Sequence, residues 1–244
     1  MNNSTHINAP KSKGSVLHKI IHTPSITALH DHVIDDQSLV LLDLDNTVFT
    51  PDTGHVGHVW FKYMLMYGQS VGYDYAAAYA ITQAEFMRRQ HELRVIPAEA
   101  ASIATIHALQ QRGIPVIGLT GREQTIRDFT LRDLASLKLD FVASIPTPEC
   151  LALDIPGYAA WHQGIGFCNN NDKGVVLDHL FAATSYRPQQ IIFVDDVEKH
   201  VVSVQQSALR HNIPYVGLRY SLFDAVEAAY ELDEASKLVF TPKG

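Results

Sequence analysis

The stretch that decides the fold is SLVLLDLDNT, residues 38–47. Its first five residues are mostly apolar and lack the alternation of a half-exposed strand, which predicts a strand buried on both faces, as in a parallel sheet. Two carboxylates, Asp43 and Asp45, follow the run at once. Ligands of open α/β sheets bind at the carboxyl ends of the strands. The stretch therefore predicts a parallel α/β sheet with an acidic ligand site at its edge.

The rest of the chain continues an alternation of strands and helices. This rhythm predicts a three-layer α/β/α, Rossmann-like parallel sheet. Prolines and glycines interrupt it over 145–168, where a hairpin is expected from Tyr158 and 161–167. The other predicted strands are 114–119, 141–143, 190–194 and 215–218, and the predicted helices are 97–112, 123–137, 173–184 and 198–211.

The segment after residue 47 breaks this alternation. It is rich in glycine, histidine and aromatic residues as far as Gly72, and it then shows helical spacing of apolar residues from Asp74 to about Leu93. We therefore expect a small, mainly helical cap over 48–96, inserted after the first strand of a core made of 33–47 and 97–244. The N-terminal segment 1–32 is expected to lie outside the core and to be partly disordered.

Charge and hydropathy indicate which classes of partner and which location to expect. A formal net charge of −7 and the lack of a basic cluster argue against a nucleic-acid partner. The first residues lack a signal-peptide core, and no apolar stretch reaches membrane-spanning length. We therefore expect a cytoplasmic location without a membrane partner, although export by a route that needs no signal stays open. The sequence does not indicate an oligomeric state.

Four polar signals fall at the carboxyl ends of predicted strands or at the start of the next helix. Like charges brought this close repel unless a cation lies between them. Because the candidate ligands are oxygens and Cys150 and Cys168 lack zinc spacing, Mg²⁺ is the expected ion. The four signals are Asp43-x-Asp45-x-Thr47, Thr120, Lys173 and Asp195-Asp196.

In this order and on these elements, the four signals resemble the motif set of the haloacid dehalogenase-like (HAD) superfamily, over about residues 38–219. The resemblance implies a magnesium-dependent phosphomonoester hydrolase that acts on a small phosphorylated metabolite through an aspartyl-phosphate. It implies Asp43 as the nucleophile and Asp45 as the general acid and then the base. It also implies metal ligation by the Asp43 and Asp195 side chains and the Asp45 backbone carbonyl, with Asp196 binding through water or orienting Lys173.

The resemblance extends to the groups that would hold phosphate. Thr120 and the adjacent amides are implied to bind the phosphoryl oxygens, and Lys173 to neutralise the charge shared with Asp43. The stretch 119–134, LTGREQTIRDFTLRDL, is also similar to the second motif of the bacterial class B and class C acid phosphatases. Further substrate contacts are expected from Gly121, Arg122, His55 and His58, and Arg88 and Arg89 are candidates for a distal anionic group.

Rival interpretations remain open. A phosphotransferase or phosphomutase would use the same residues and differ in the acceptor that the cap admits. A non-catalytic binding module of the same fold is the alternative from another class, and the intact motif set argues against it. Taken singly, each signal also has a structural explanation: an Asp-x-Asp pair as a turn, Thr120 as a helix cap, Lys173 as a surface lysine.

Overall fold

The computed structural model describes residues 17–53, 57–142, 150–153 and 159–241. Within these residues a mostly parallel central sheet carries helices on both faces, so the predicted three-layer α/β/α architecture is confirmed. The strands are β1 (His18–Thr23), β2 (Ser38–Leu42), β3 (Phe49–Pro51), β4 (Val95–Pro97), β5 (Val116–Thr120), β6 (Cys150–Ala152), β7 (Ala160–His162), β8 (Ile165–Phe167), β9 (Gln190–Asp195) and β10 (Tyr215–Tyr220). The α-helices are α1 (His58–Ser70), α2 (Tyr75–Arg89), α3 (Ser102–Gln111), α4 (Arg127–Ser136), α5 (Lys173–Thr184), α6 (Glu198–His211), α7 (Asp224–Ala228) and α8 (Glu234–Lys237).

The main sheet has the strand order β1-β10-β9-β2-β5-β8-β7-β6. Pairs from β1 across to β8 are parallel, whereas β8, β7 and β6 pair antiparallel, which confirms the predicted hairpin within its described part. Because β9, β2 and β5 are parallel neighbours, their carboxyl ends meet at one edge of the sheet. Strand β1 belongs to the segment 1–32 and pairs with β10, so this part of the segment lies in the core and not outside it as predicted. The disorder expected there falls partly on residues 1–16, outside the described residues.

Strand β2 lies at the centre of two apolar cores, because successive side chains of a strand point to opposite faces. Val40 and Leu42 belong to the core beneath α3 and α4. Leu39 and Leu41 belong to the core beneath α5 and α6. Every residue of β2 is buried, as the apolar run predicted. Burial on both faces fixes the register of β2 and places Asp43, the next residue, at the sheet edge.

The predicted cap segment contains helices α1 and α2, joined to the core by the antiparallel pair of β3 and β4. Its apolar core includes Trp60, Met64 and also Phe240, which lies near the end of the described chain. Trp60 Nε1 donates a hydrogen bond of 2.9 Å to Ser236 Oγ. The C-terminal segment 230–241 therefore packs against α1 and α2, although the sequence had assigned it to the core.

Two predicted elements are wrong. The helix predicted from residue 97 begins at Ser102, because Pro97 ends β4 and a proline favours an extended residue before it. Phe141 and Val142 do not form a strand, and Ala143 lies outside the described residues. The side chain of Phe141 instead packs in the core beneath α3 and α4. Strand β8 takes the position beside β5.

The start of α5 depends on a close approach to α6. A Cβ atom added to Gly174 would lie 2.3 Å from the Ser203 carbonyl oxygen, a backbone atom that cannot rotate away. We expect Gly174→Ala to lower the free energy of unfolding by about 1–3 kcal/mol, because this overlap outweighs the roughly 1 kcal/mol that alanine gains over glycine in a helix. Urea denaturation measures this change.

Gly121→Ala is the matched control, since its added methyl would meet Asn170 Oδ1 at 3.8 Å, an ordinary contact. Equal stability of the Gly174 and Gly121 variants would contradict the packing argument.

Candidate active site

A buried lysine joins two of the carboxylates at the sheet edge. Asp43 follows β2, Asp195 ends β9, and Lys173 is the first residue of α5. Lys173 Nζ donates to Asp43 Oδ1 at 2.5 Å and to Asp195 Oδ2 at 2.7 Å. All three side chains are almost completely buried. The two ion pairs join residues 130 and 22 positions apart in sequence into one cluster.

The cluster shifts the protonation of its members. Burial alone would lower the pKa of Lys173, but the charges of Asp195 and Asp43 raise it, so the ammonium stays charged. Burial raises the pKa of Asp43 to about 7 against the opposing effect of Lys173. The pKa of Asp196 is raised well above its usual value by burial and by the charges of Asp43 and Asp195. One ammonium is therefore too little positive charge for these carboxylates.

The geometry fits a divalent cation. Carboxylate oxygens of Asp43, Asp195 and Asp196 lie within 4.8 Å of one another. Hard oxygen donors of this kind suit Mg²⁺, which binds proteins through a few carboxylates and retains several waters. A cation would also offset the repulsion that raises the pKa values of Asp43 and Asp196. The sheet edge is thus a candidate magnesium site.

Asp45 lies at a tight turn and pairs with a different cation, Arg122. Asn46 has a φ of 58°, in the left-handed region that asparagine tolerates. Its backbone N–H donates to the Phe49 carbonyl at 2.7 Å and closes the turn. The Asp45 carboxylate then receives two parallel hydrogen bonds of 2.8 Å from Arg122 Nε and Nη2. Such a two-point pair fixes the orientation of the carboxylate as well as its charge.

Arg122 is itself held on every side. Its Nη1 donates to Thr130 Oγ1 at 3.1 Å and to Asp133 Oδ2 at 3.3 Å, and its guanidinium lies 4.9 Å from the Phe49 ring centre. Burial raises the pKa of Asp45, but the charge and hydrogen bonds of Arg122 outweigh it and lower that pKa. Asp45 is therefore held as a carboxylate.

Thr120 lies at the end of β5 and is completely buried. Its Oγ1 accepts a hydrogen bond of 3.2 Å from the Arg122 backbone N–H. Gly121 is held from the other side, because its carbonyl accepts from Asn170 N at 3.1 Å. The 120–122 turn thus packs directly against the loop that leads into α5, and Gly121 and Arg122 face the cavity described next.

A cavity opens between the sheet edge and helices α1 and α2. Phe61, Tyr79, Gln83 and Phe86 form the wall supplied by these two helices. The core contributes Asp43, Asp196, Gly121 and Arg122 to the opposite wall. Tyr79 bridges the two walls, since its hydroxyl donates to Glu123 Oε1 at 3.0 Å. The remaining lining residues are Asp45, His58, Glu123, Ile126, Asn170, Val197 and His200.

The histidines and arginines predicted as further substrate contacts differ in their positions. His58 lines the cavity, whereas His55 lies outside the described residues. Arg88 and Arg89 bind Glu85 on their own helix, and neither is among the described residues that line the cavity. The distal-anion role considered for these two arginines therefore has no support from their position.

Several residues at the site escaped the sequence analysis. His200 Nδ1 lies 3.2 Å from Asp195 Oδ1 and its ring faces the cavity. Asp133 binds Arg122 from the buried face of α4. Asp133 stands at a position of α4 where the helical spacing predicts an apolar side chain. Because buried charges are rarely unpaired, this position was the signal that could have indicated a charged partner.

Comparison with known families gives one decisive match. A family model with the description "Protein of unknown function (DUF2608)" matches residues 17–238. The chain belongs to this family. The match covers the strands and helices that build the sheet edge and the cavity of this DUF2608 member.

Three curated chlamydial proteins are more distant relatives of this DUF2608 chain, and each is provisionally named an outer membrane protein. The Chlamydia pneumoniae protein is 24% identical over 191 residues, which is 78% of this chain and 72% of that protein. The Chlamydia muridarum protein is 23% identical over 210 residues, 86% of this chain and 78% of that protein. These names contradict the predicted cytoplasmic location, which is therefore wrong. Within the described residues, no helix is long and apolar enough to cross a bilayer.

Solved structures share the architecture at low similarity. A haloacid dehalogenase-like hydrolase from Streptococcus pneumoniae has a TM-score of 0.44 at 10% identity, over 79% of this chain and 98% of that chain. A class C acid phosphatase from Bacillus anthracis has a TM-score of 0.38 at 14% identity, over 86% and 79%. Both likenesses are too weak to carry an argument about activity. The superfamily resemblance of the DUF2608 member rests on its own strand order and motif positions.

The raised pKa values of Asp43 and Asp196 predict how metal-free stability depends on pH. Because unfolded carboxylates titrate near about pH 4, the folded protein binds these protons more tightly, and its stability falls as the pH rises from about 4 to 7. Mg²⁺ displaces the protons, so it should raise Tm more at pH 7 than at pH 5. Thermal unfolding with Mg²⁺ and with EDTA tests this.

Asp196→Asn removes one repelling carboxylate and should flatten the fall in Tm between pH 5 and 7 without metal. An equal effect of Mg²⁺ at both pH values would contradict the assignment of these carboxylates as its ligands.

Proposed function

We propose that this chain is a magnesium-dependent phosphomonoester hydrolase that forms an aspartyl-phosphate on Asp43. The observation that carries the proposal is the buried Lys173, whose ammonium pairs with Asp43 and Asp195 at the cavity edge. A nucleophilic carboxylate beside a fixed cation can approach an anionic phosphoryl group, because the cation offsets the repulsion between them. The intact motif set supports the same chemistry.

In the first step an Asp43 oxygen bonds to phosphorus while the bond from phosphorus to the ester oxygen breaks. The departing oxygen takes a proton from Asp45, which faces the same cavity. Arg122 keeps Asp45 ionised, so Asp45 must first gain that proton, and a monoanionic phosphate ester carries one. Lys173 stays charged and stabilises the negative charge shared by Asp43 and the phosphoryl group.

In the second step water attacks the phosphorus, and the bond to the Asp43 oxygen breaks. The Asp45 carboxylate accepts the proton of that water, and inorganic phosphate leaves with Asp43 restored. Asp43, Asp195, Asp196 and the Asp45 backbone carbonyl would hold Mg²⁺. When bound, the ion supplies positive charge against the carboxylates and the phosphoryl oxygens.

The cap wall supports a small, uncharged alcohol as the leaving group. Phe61 and Phe86 meet edge to face with ring centres 5.5 Å apart, and Gln83 lies beside them on the cavity wall. Among the described lining residues, Arg122 alone carries a permanent positive charge, and Asp45 occupies it. A second phosphate or carboxylate on the alcohol would therefore find no cation to bind there.

Hydrolysis of p-nitrophenyl phosphate tests the proposed function. We expect Mg²⁺-dependent release of phosphate, its loss in EDTA, and a fall of roughly 10³-fold or more in kcat for Asp43→Asn, because that change removes the nucleophile.

Asp128→Asn, at an exposed site on α4, is the matched control and should keep wild-type activity. Activity that survives in Asp43→Asn would refute the covalent mechanism. Phosphorylated products formed with added alcohols, in place of free phosphate, would identify a phosphotransferase.

Phe86→Ala tests the cap wall. Removal of the ring should raise KM for phenyl phosphate roughly two- to tenfold, the range expected for loss of one aromatic contact. Inhibition by inorganic phosphate should be unchanged, because phosphate has no group that reaches the wall. An equal loss of affinity for phosphate and for the phenyl ester would contradict contact between Phe86 and the alcohol.

A further inference from the structure

Four charged side chains form a continuous hydrogen-bonded chain behind the cavity: Asp45, Arg122, Asp133 and Arg132. Arg122 binds both oxygens of Asp45 at 2.8 Å and reaches Asp133 Oδ2 through Nη1 at 3.3 Å. The other oxygen of Asp133 accepts from Arg132 Nη2 at 2.7 Å and Nε at 3.1 Å. Each oxygen of Asp133 is therefore committed to a different guanidinium.

The middle of this chain is buried. The Asp133 and Arg122 side chains are only 2% and 5% exposed. A buried carboxylate destabilises a fold unless it is fully paired, and an apolar residue would serve the packing of α4 at least as well. Asp133 does something an apolar residue could not. It holds Nη1 of Arg122, so that the Nε and Nη2 edge of the same planar group faces Asp45.

The far end of the chain reaches the segment that returns from α2 to β4. Arg132 Nη1 donates to the Gln90 carbonyl at 2.9 Å, and Nη2 donates to the Leu93 carbonyl at 3.3 Å. Both carbonyls lie between the last residue of α2 and the first of β4. A shift of this return segment therefore acts on Arg132, and through the shared carboxylate of Asp133 on Arg122.

We propose that Asp133 is a positioning residue for Asp45, acting through Arg122, and that Arg132 couples this pair to the return segment of the cap. The proposal rests on the proposed function, because it concerns Asp45 as the proton donor to the leaving alcohol. With the return segment in place, the ion-pair chain aims the Asp45 carboxylate into the cavity. Displacement of the return segment weakens the hydrogen bonds that link Arg132, Asp133, Arg122 and Asp45. Proton transfer therefore depends on the position of the cap.

Two esters with similar aromatic rings separate this role from general stabilisation. Nitrophenolate leaves without a proton, whereas the alkoxide of benzyl phosphate needs one. The ratio kcat/KM reports the steps up to phosphoryl transfer and excludes hydrolysis of the intermediate. We expect Asp133→Asn to lower kcat/KM for benzyl phosphate roughly 10- to 100-fold. The value for p-nitrophenyl phosphate should stay within about threefold of wild type. Arg132→Gln should act in the same direction.

Asp45→Asn is the reference, since direct loss of the donor should give the same selectivity. Asp178→Asn is the matched control: this carboxylate of α5 pairs with Arg210 and His211 away from the cavity, and its loss should affect both esters equally. Equal losses for both esters in Asp133→Asn would overturn the proposal. If that variant does not fold, the ratio in Arg132→Gln, whose side chain is 37% exposed, decides by the same criterion.

The same experiment distinguishes failure of the proposed function from failure of this inference alone. Wild-type protein that hydrolyses neither ester would refute the proposed function and this inference together. Selectivity in Asp45→Asn without selectivity in Asp133→Asn and Arg132→Gln would refute the inference alone.

Discussion

The ammonium of Lys173 is the constraint on which the rest of the structure depends. A buried charge destabilises a fold by several kcal/mol unless its partners are placed accurately, and here the partners stand at the ends of two different strands. Strands β2 and β9 must therefore be in register, and α5 must begin at the sheet edge. Asp172 is the N-cap residue of α5 and fixes that beginning. Its Oδ1 accepts a hydrogen bond of 3.0 Å from Val175 N.

Two separate cations divide the acidic residues into groups with different tasks. Lys173 serves Asp43 and Asp195, while Arg122 serves Asp45 and Asp133. Arg122 keeps Asp45 ionised, whereas the repulsion among Asp43, Asp195 and Asp196 favours a bound metal. One fold can thus hold a nucleophile and a proton carrier a few residues apart in sequence without making them equivalent.

Local pattern was enough to predict the centre of the sheet and the polar residues at its edge, but not the contacts behind them. Residues 38–42 and 190–194 are apolar runs between turn signals, so both strands and the carboxylates after them could be found. Strand β1, HKIIHT, carries histidines because it is an edge strand, and only its partner β10 identifies it. The role of Asp133 depends on contacts with 122 and 132 across a helix and a turn, which spacing alone does not encode.

The interruption after residue 47 predicted an insertion, but its tertiary partners lay beyond the reach of periodicity. Ser236 accepts a hydrogen bond from Trp60, 176 positions earlier in the chain, and Phe240 belongs to the same apolar cluster as Trp60. During synthesis from the N-terminus, helices α1 and α2 therefore emerge long before the segment that completes their apolar core. The helical wall of the cavity is completed only after residues 230–241 have been synthesised, whereas a chain that stopped after β10 would contain every strand of the sheet and lack this segment.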